Sequence, residues 1–178
     1  MFGKILICGR MKNTIIICLM IFFHSCYQAN TQKEWYYEAE TLYNSGQDGL
    51  CILKLDELLE KYPSNAIALY LRAFAKQRSG NLKGAIEDYS NYISIISDNE
   101  EAYYLRGVVK YQLNDSTAMD DYNKAIELNP NYGEAFNNRA IIYLNKKETE
   151  KACEDLKSAQ KLGISNADSL IMKYCQSN

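Results

Sequence analysis

Residues 100–132 read EEAYYLRGVVKYQLNDSTAMDDYNKAIELNPNY, and this stretch decides the fold because its pattern recurs along most of the chain. A large side chain stands four residues before a small one, and a second small residue follows a polar turn. The columns are Trp35, Leu69, Tyr103 and Phe136; Ala39, Ala73, Gly107 and Ala140; and Cys51, Ala85, Ala118 and Ala152. Their period of 34, 34 and 33 residues is typical of a solenoid of helical hairpins.

Each copy contains two apolar stretches with helical spacing, separated by a polar turn. This predicts an all-α fold in which four hairpins cover residues 32–65, 66–99, 100–132 and 133–165. The third copy is one residue short around residues 112–116, and we expect its polar turn to absorb the deletion without disturbing either helix.

A further helical pattern follows the last copy, within residues 166–178, and contains Leu170, Met172 and Tyr174 among polar residues. The last hairpin of a stack exposes its apolar side unless another element covers it. We therefore predict a C-terminal capping helix in this segment.

The third copy resembles the tetratricopeptide repeat (TPR) family, on the residues Tyr103, Gly107, Ala118, Tyr122, Ala125 and Pro130. The resemblance extends over residues 32–165 and implies an α-solenoid of about four TPR hairpins. It also implies that the first helices of successive hairpins line a concave groove for an extended peptide or a helix of a partner protein. Lys76 and Lys110 depart from the family pattern, which has an aromatic residue at their position.

Position by position, the resemblance assigns nine residues to the peptide-binding groove: Tyr36, Tyr43, Tyr70, Phe74, Tyr104, Val108, Tyr111, Asn137 and Ile141. Tyr36, Tyr70 and Tyr104 share one column and are expected to form a ladder of stacked rings. Tyrosine is frequent in recognition surfaces because it offers a large contact area at low entropic cost. The alternative is that some of these rings pack against a neighbouring hairpin and only fill space.

Oppositely charged residues recur at matched positions of the two helices in every copy: Arg72/Asp88, Arg106/Asp121, Arg139/Asp155 and, with reversed signs, Glu38/Lys54. A concerted reversal of sign is expected of an ion pair between the two helices. The alternative is that these are independent solvated charges. An exposed pair contributes only about 0–1 kcal/mol, and no catalytic role is assigned to it.

The first 25 residues contain three basic residues, no acidic residue and the apolar run 15–23. Nine apolar residues are too few to cross a bilayer, which needs about 20, but they suit a signal peptide that starts at Met1 or Met11. Residues 23–26, FHSC, resemble the lipobox of bacterial lipoproteins. The resemblance implies cleavage after residue 25, lipidation of Cys26 and a tether over residues 26–31. Simple secretion, or an uncleaved anchor with Cys26 as an ordinary thiol, is the alternative.

Composition excludes several classes of function. The only histidine, His24, lies in the predicted signal peptide, so the mature chain has no catalytic triad with histidine and no histidine metal site. Gly-rich phosphate-binding motifs are also missing from the sequence. Residues 26–178 carry a net charge of −5, which makes nucleic acid a poor partner. We therefore expect no enzymatic activity, no cofactor and no metal.

Four cysteines remain after residue 25, and Cys51 occupies a small-residue column, where it is expected to be buried. Cys153 lies on the second helix of the last copy, and Cys175 lies late in the capping helix that should pack against it. This placement predicts a disulfide between Cys153 and Cys175. Two free buried thiols are the alternative.

The sequence favours a lipid-anchored TPR scaffold or adaptor in the bacterial cell envelope, facing the periplasm, which binds a protein or peptide partner. A small-ligand or glycan-binding lipoprotein that uses the same tyrosines is the alternative. Only Lys33 and Asn138 stand at places comparable to the polar clamp with which some family members hold chaperone tails. The clamp column itself holds Tyr37, Leu71 and Leu105, so recognition of such a tail is not predicted.

Overall fold

The computed structural model describes residues 33–175, and this part of the chain is all-α, as predicted. Its nine helices are α1 (33–44), α2 (Asp48–Lys61), α3 (Ala66–Arg78), α4 (Leu82–Ile95), α5 (Glu100–Gln112), α6 (Ala118–Leu128), α7 (Gly133–Asn145), α8 (Thr149–Lys161) and α9 (Ala167–Tyr174). The predicted signal peptide (1–25), Cys26 and the tether (26–31) lie outside the described residues.

Small residues bring the helices of each hairpin together. The two small-residue columns are buried throughout: Ala39, Ala73, Gly107, Ala140, Cys51, Ala85, Ala118 and Ala152. Each helix from α2 onwards packs mainly against the helices that precede and follow it in the chain. The result is a stack of hairpins α1–α2, α3–α4, α5–α6 and α7–α8, closed by α9.

A residue in the left-handed region ends the first helix of every hairpin: Gly46, Gly80, Asn114 and Lys147, with φ between 56° and 84°. After α3, for example, the Gly80 amide donates to the Gln77 carbonyl and the Asn81 amide donates to the Lys76 carbonyl. These bonds satisfy carbonyls that the helix end leaves free. A left-handed residue at this position therefore reverses the chain direction between the two helices of every hairpin.

The one-residue deletion in the third hairpin shortens its second helix. Helix α4 begins three residues before Ala85, whereas α6 begins at the equivalent Ala118 itself. Asp115 supports the tightened turn, since its Oδ1 accepts hydrogen bonds from the amide and the hydroxyl of Thr117, both at 2.9 Å. These bonds also lower the pKa of Asp115. The expectation that the deletion leaves both helices undisturbed is therefore wrong.

Gly107 lies at the closest approach of α5 and α6. A Cβ atom there would lie 2.8 Å from Cε1 of Tyr122, whose ring is buried. We predict that Gly107→Ala lowers the free energy of unfolding by about 1–3 kcal/mol, because the buried ring must shift. This loss opposes the gain of up to about 1 kcal/mol in helix propensity. Urea denaturation followed by circular dichroism at 222 nm measures the difference.

The matched control is Gly49→Ala in α2, where an added Cβ meets no other atom within 4 Å. That substitution is expected to be neutral or stabilising, because only the propensity term applies. Equal stabilisation by the two alanines would contradict the steric argument.

The predicted ion pairs are present in all four hairpins. Nε and Nη2 of Arg72 donate to the two carboxylate oxygens of Asp88 at 2.8 and 2.7 Å. The same bidentate geometry joins Arg106 to Asp121 and Arg139 to Asp155. In the first hairpin, Nζ of Lys54 lies 2.9 Å from a Glu38 oxygen. The alternative of independent solvated charges is therefore wrong.

The three aspartates are buried, with exposures of only 1% to 6%. Lys76 and Lys110 supply second cations, since their Nζ atoms lie 2.8 and 2.9 Å from the carboxylates of Asp88 and Asp121. Lys76 and Lys110, the two departures from the family pattern, thus compensate buried negative charge. The contribution of about 0–1 kcal/mol expected of an ion pair assumes that the pair is exposed, so it does not apply to these buried pairs.

Each arginine also reaches the preceding hairpin. Nη1 of Arg72 donates to Asp56 on α2 at 2.5 Å. Nη1 of Arg106 and of Arg139 likewise donate to Ser90 on α4 and Asn123 on α6, at 3.1 and 2.8 Å. We call each such arginine with its acceptors an arginine clasp. Because one guanidinium joins three helices, it fixes the position of one hairpin against the next.

The capping helix α9 packs on the last hairpin. Ala167 is buried, and Leu170 and Ile171 are partly buried against the cluster that contains Leu156, whereas Met172 is 62% exposed. The prediction of a cap was based on Leu170, Met172 and Tyr174. Of these three, only Leu170 lies on the face of α9 that packs against the last hairpin. A disulfide joins Cys153 to Cys175, whose Cα atoms are 5.8 Å apart.

Candidate peptide-binding groove

The predicted groove residues all lie on the first helices α1, α3, α5 and α7. Tyr111 is exposed, and the other residues of the set are partly buried except Asn137, which is only 6% exposed. The assignment of Asn137 to an open binding surface is therefore wrong. Its Oδ1 is buried without a hydrogen-bond partner, and its Nδ2 lies 3.4 Å from Oδ1 of Asn138.

The tyrosine column does not form the predicted ladder. Among the described residues, no ring contact joins Tyr36, Tyr70 and Tyr104 to one another. The Tyr70 ring instead lies 5.0 Å from Phe74 and 4.7 Å from Tyr92, between ring centroids. The alternative is therefore correct: some of these tyrosine rings pack against aromatic residues within and between the hairpins.

Buried tyrosines of the second helices support these rings from below. Tyr89 on α4 is fully buried, and its ring lies 6.0 Å from both Tyr70 and Phe74. Its hydroxyl donates to Oε1 of Gln77 at 3.0 Å. Tyr122 on α6 supports Tyr104 in the same way at 6.0 Å. The aromatic groups on the first helices are therefore held in place before any partner binds, which lowers the entropic cost of binding.

Two asparagines outside the predicted groove set, Asn138 and Asn145, link α7 to α5. Nδ2 of Asn138 donates to the Tyr104 hydroxyl at 3.3 Å, and Nδ2 of Asn145 donates to the Tyr111 hydroxyl at 3.0 Å. Each asparagine follows its tyrosine by 34 residues, so the signal was present in the sequence. The repeat alignment did not reveal it, because Asn137 is the residue equivalent to Tyr104 and Asn138 lies one position further along α7.

An open cleft of about 240 Å³ lies between α1 and α3, and we call it the aromatic cleft. Its lining residues are Tyr36, Glu40, Tyr43, Asn44, Ile67, Tyr70, Leu71 and Phe74. Ile67 is 61% exposed at its edge. A concave space lined mainly by aromatic and aliphatic side chains is a candidate contact for a partner on the first-helix face.

Carboxylates border the tyrosines along this face. The pKa of Tyr36 is raised by burial and by Glu40, that of Tyr70 by burial and by Glu101, and that of Tyr104 by burial and by Glu134. Glu101 and Glu134 are exposed in the first turns of α5 and α7. The surface next to the tyrosines is therefore electronegative.

No group of residues within 33–175 has the arrangement of a metal site. Over the same range, every helix is too short or too polar to span a bilayer. What the described residues offer to a partner is a preformed aromatic surface with acidic groups beside it.

Models of the tetratricopeptide repeat match residues 100–132 and 121–154. Tetratricopeptide repeat protein 6 of Homo sapiens is 32% identical over 58% of this chain and 20% of its own length. A TPR repeat-containing protein of Methanocaldococcus jannaschii is 33% identical over 57% of this chain and 17% of its own length. This chain therefore spans a fifth or less of these relatives.

Solved structures with the same fold include MamA, with a TM-score of 0.73 at 19% identity over 82% of this chain and 87% of MamA. A tetratricopeptide repeat protein of Parabacteroides merdae has a TM-score of 0.70 at 20% identity, over 75% of this chain and 54% of its own. The first TPR of Spaghetti, solved with an HSP90 peptide, has a TM-score of 0.59 at 23% identity. The match covers 62% of this chain and 90% of the Spaghetti chain.

The geometry and these matches define the class of fold: the described part of the chain is an α-solenoid of helical hairpins. Within that class, residues 100–154 are similar to the tetratricopeptide repeat.

Proposed function

We propose that this protein is a lipid-anchored scaffold or adaptor of the bacterial cell envelope. Acylated Cys26 holds it on the membrane, and the first-helix face, turned to the periplasm, binds a peptide or helix of a partner protein. It performs no chemistry of its own. The single observation that carries the binding role is the aromatic cleft, whose rings are already fixed by Tyr89 and Tyr92 and whose edge exposes Ile67.

Anchoring suits this role because the cleft lies on the first described helices, close in the chain to Cys26. Several acyl chains on one residue hold a soluble domain firmly at a membrane. The tether of residues 26–31 then keeps the cleft near the bilayer, where it meets other envelope proteins. Metabolic labelling with an alkyne fatty acid tests the anchor: Cys26→Ser should abolish the label.

A peptide fits the aromatic cleft better than a glycan. A glycan needs many polar partners, whereas the lining offers only Glu40, Asn44 and the tyrosine hydroxyls. The Spaghetti structure shows that a domain of this fold holds a peptide with the sequence SRMEEVD. For this chain we propose a partner of different charge, because carboxylates border its tyrosines.

Site-specific photocrosslinking in cells tests where the partner binds. We predict that p-benzoylphenylalanine at Ile67 or Tyr111, both exposed on first helices, gives one discrete crosslinked protein. The same group at Leu53, which is 61% exposed on the second helix α2, should not give that product. Identical products from both faces, or none from the first-helix face, would contradict the proposed binding surface.

A further inference from the structure

We infer that the aromatic cleft receives a cationic side chain of the partner, arginine in preference to lysine. This inference rests on the proposed function, since it specifies the chemistry of the peptide that occupies the first-helix face. It starts from the lining itself: four aromatic rings, two aliphatic side chains, the amide of Asn44 and one charged group, Glu40.

The aromatic walls suit a cation. Tyr36, Tyr43, Tyr70 and Phe74 come from two helices and surround one space. Aromatic rings attract cations through their negative faces, and arginine is used more often than lysine because its planar guanidinium also stacks on the ring. Ile67 and Leu71 complete the lining, and they can cover the aliphatic stem of such a side chain.

The chain already contains one such contact at the rim of the cleft. Cζ of Arg78 lies 3.8 Å from the ring centroid of Tyr43. The charge of Arg78 is compensated by Asp48, whose oxygens accept from Nε at 2.7 and 2.8 Å. Arg78 does not line the cleft, where Glu40 is the one charged residue. An incoming guanidinium would therefore repeat an interaction that the structure displays.

Charge decides between a basic and an acidic occupant. Glu40 is the sole charged residue in the lining, and its Oε1 lies 3.5 Å from the Tyr36 hydroxyl. An arginine can reach carboxylate and rings together, whereas an acidic side chain would meet repulsion and bury an unpaired charge.

Titration with small probes tests this without knowledge of the partner. The full isotope-labelled chain, in a nonionic detergent, is titrated with N-acetyl-arginine methylamide and with the neutral isostere N-acetyl-citrulline methylamide. We expect saturable shifts of the amide resonances of Tyr36, Glu40 and Phe74 with the arginine probe, and binding weaker by about fivefold with citrulline. Equal affinity for the two probes, or shifts mapped to other helices, would overturn the inference.

Matched variants separate the contributions. Glu40→Gln should weaken arginine binding about threefold, while Glu87→Gln on the second helix α4 should leave it unchanged. Tyr36→Phe keeps the ring and should retain binding, but Tyr36→Leu should not. If the photocrosslinks form at Ile67 while arginine fails to bind, this inference fails alone. If arginine binds while no protein crosslinks to that face, the proposed function fails instead.

Discussion

Replacement of Asp88 by alanine is expected to lower the free energy of unfolding by about 3–5 kcal/mol, the largest effect of any single substitution considered for this chain. The Asp88 carboxylate is 1% exposed and is shared by Arg72 and Lys76. Without it, Lys76 loses its carboxylate partner and Arg72 keeps only Asp56 on α2, so two cations with side-chain exposures of 16% and 13% lie beside each other with too little negative charge. Urea denaturation followed by circular dichroism provides the measurement.

The reversed pair of the first hairpin is the control. Glu38 is 57% exposed and Lys54 is 22% exposed, so solvent screens their attraction. Glu38→Ala should therefore cost less than about 1 kcal/mol. The larger value for Asp88→Ala depends on the burial of Asp88. A similar loss of stability in the two variants would show that this burial does not matter.

The arginine clasp also links stability to the groove. Arg72 holds α3 to both α4 and α2, and α3 supplies half of the aromatic cleft. Loosening the clasp should let α3 shift against α2 and α4, although Arg78 still joins α3 to Asp48 on α2 and to the Tyr43 carbonyl on α1. The Asp88→Ala variant is thus expected to bind the partner less well, even where it remains folded.

Most of the fold could be predicted from the sequence because packing of hairpins imposes a periodic constraint. A helix approaches its partner closely only over a small residue, so Ala73 and Ala85 mark the contact without any structure. Ion pairs leave a comparable signal, since Glu38 and Lys54 changed sign together. Burial leaves no such signal: the sequence gives no reason to expect that Asp88 is covered.

The binding surface was harder to predict because a tyrosine is both an interior and a surface residue. Tyr70 and Tyr104 stand in one column of the repeat. Each ring nevertheless packs against an aromatic residue outside that column, Tyr92 for Tyr70 and Tyr132 for Tyr104. Contacts between hairpins add to this difficulty. Asn137 shares the column of Tyr104, but it is the neighbouring Asn138 that donates a hydrogen bond to the Tyr104 hydroxyl.

Reduction of the Cys153–Cys175 disulfide is expected to release the capping helix α9. The disulfide closes a sequence separation of 22 residues, for which the chain-entropy model gives about 3 kcal/mol of stabilisation. The helix it fastens is short, at eight residues, and Met172 and Tyr174 on it make little buried contact. The covalent bond therefore supplies much of what holds α9 on α8.

Hydrogen exchange with mass spectrometry shows where this stabilisation resides. In the Cys153→Ser/Cys175→Ser variant, amides of residues 167–174 should exchange about a hundredfold faster, which corresponds to about 3 kcal/mol. Amides of α1 to α4 should be unaffected, because each hairpin of a solenoid contacts only its neighbours. Cys51→Ala, which removes a buried free thiol in α2, is the control and should leave the exchange of α9 unchanged.

Intact mass spectrometry tests first whether the disulfide is present. Protein purified without reductant must gain the mass of two hydrogens on reduction. An unchanged mass, or unaltered exchange in α9, would refute the role of the disulfide.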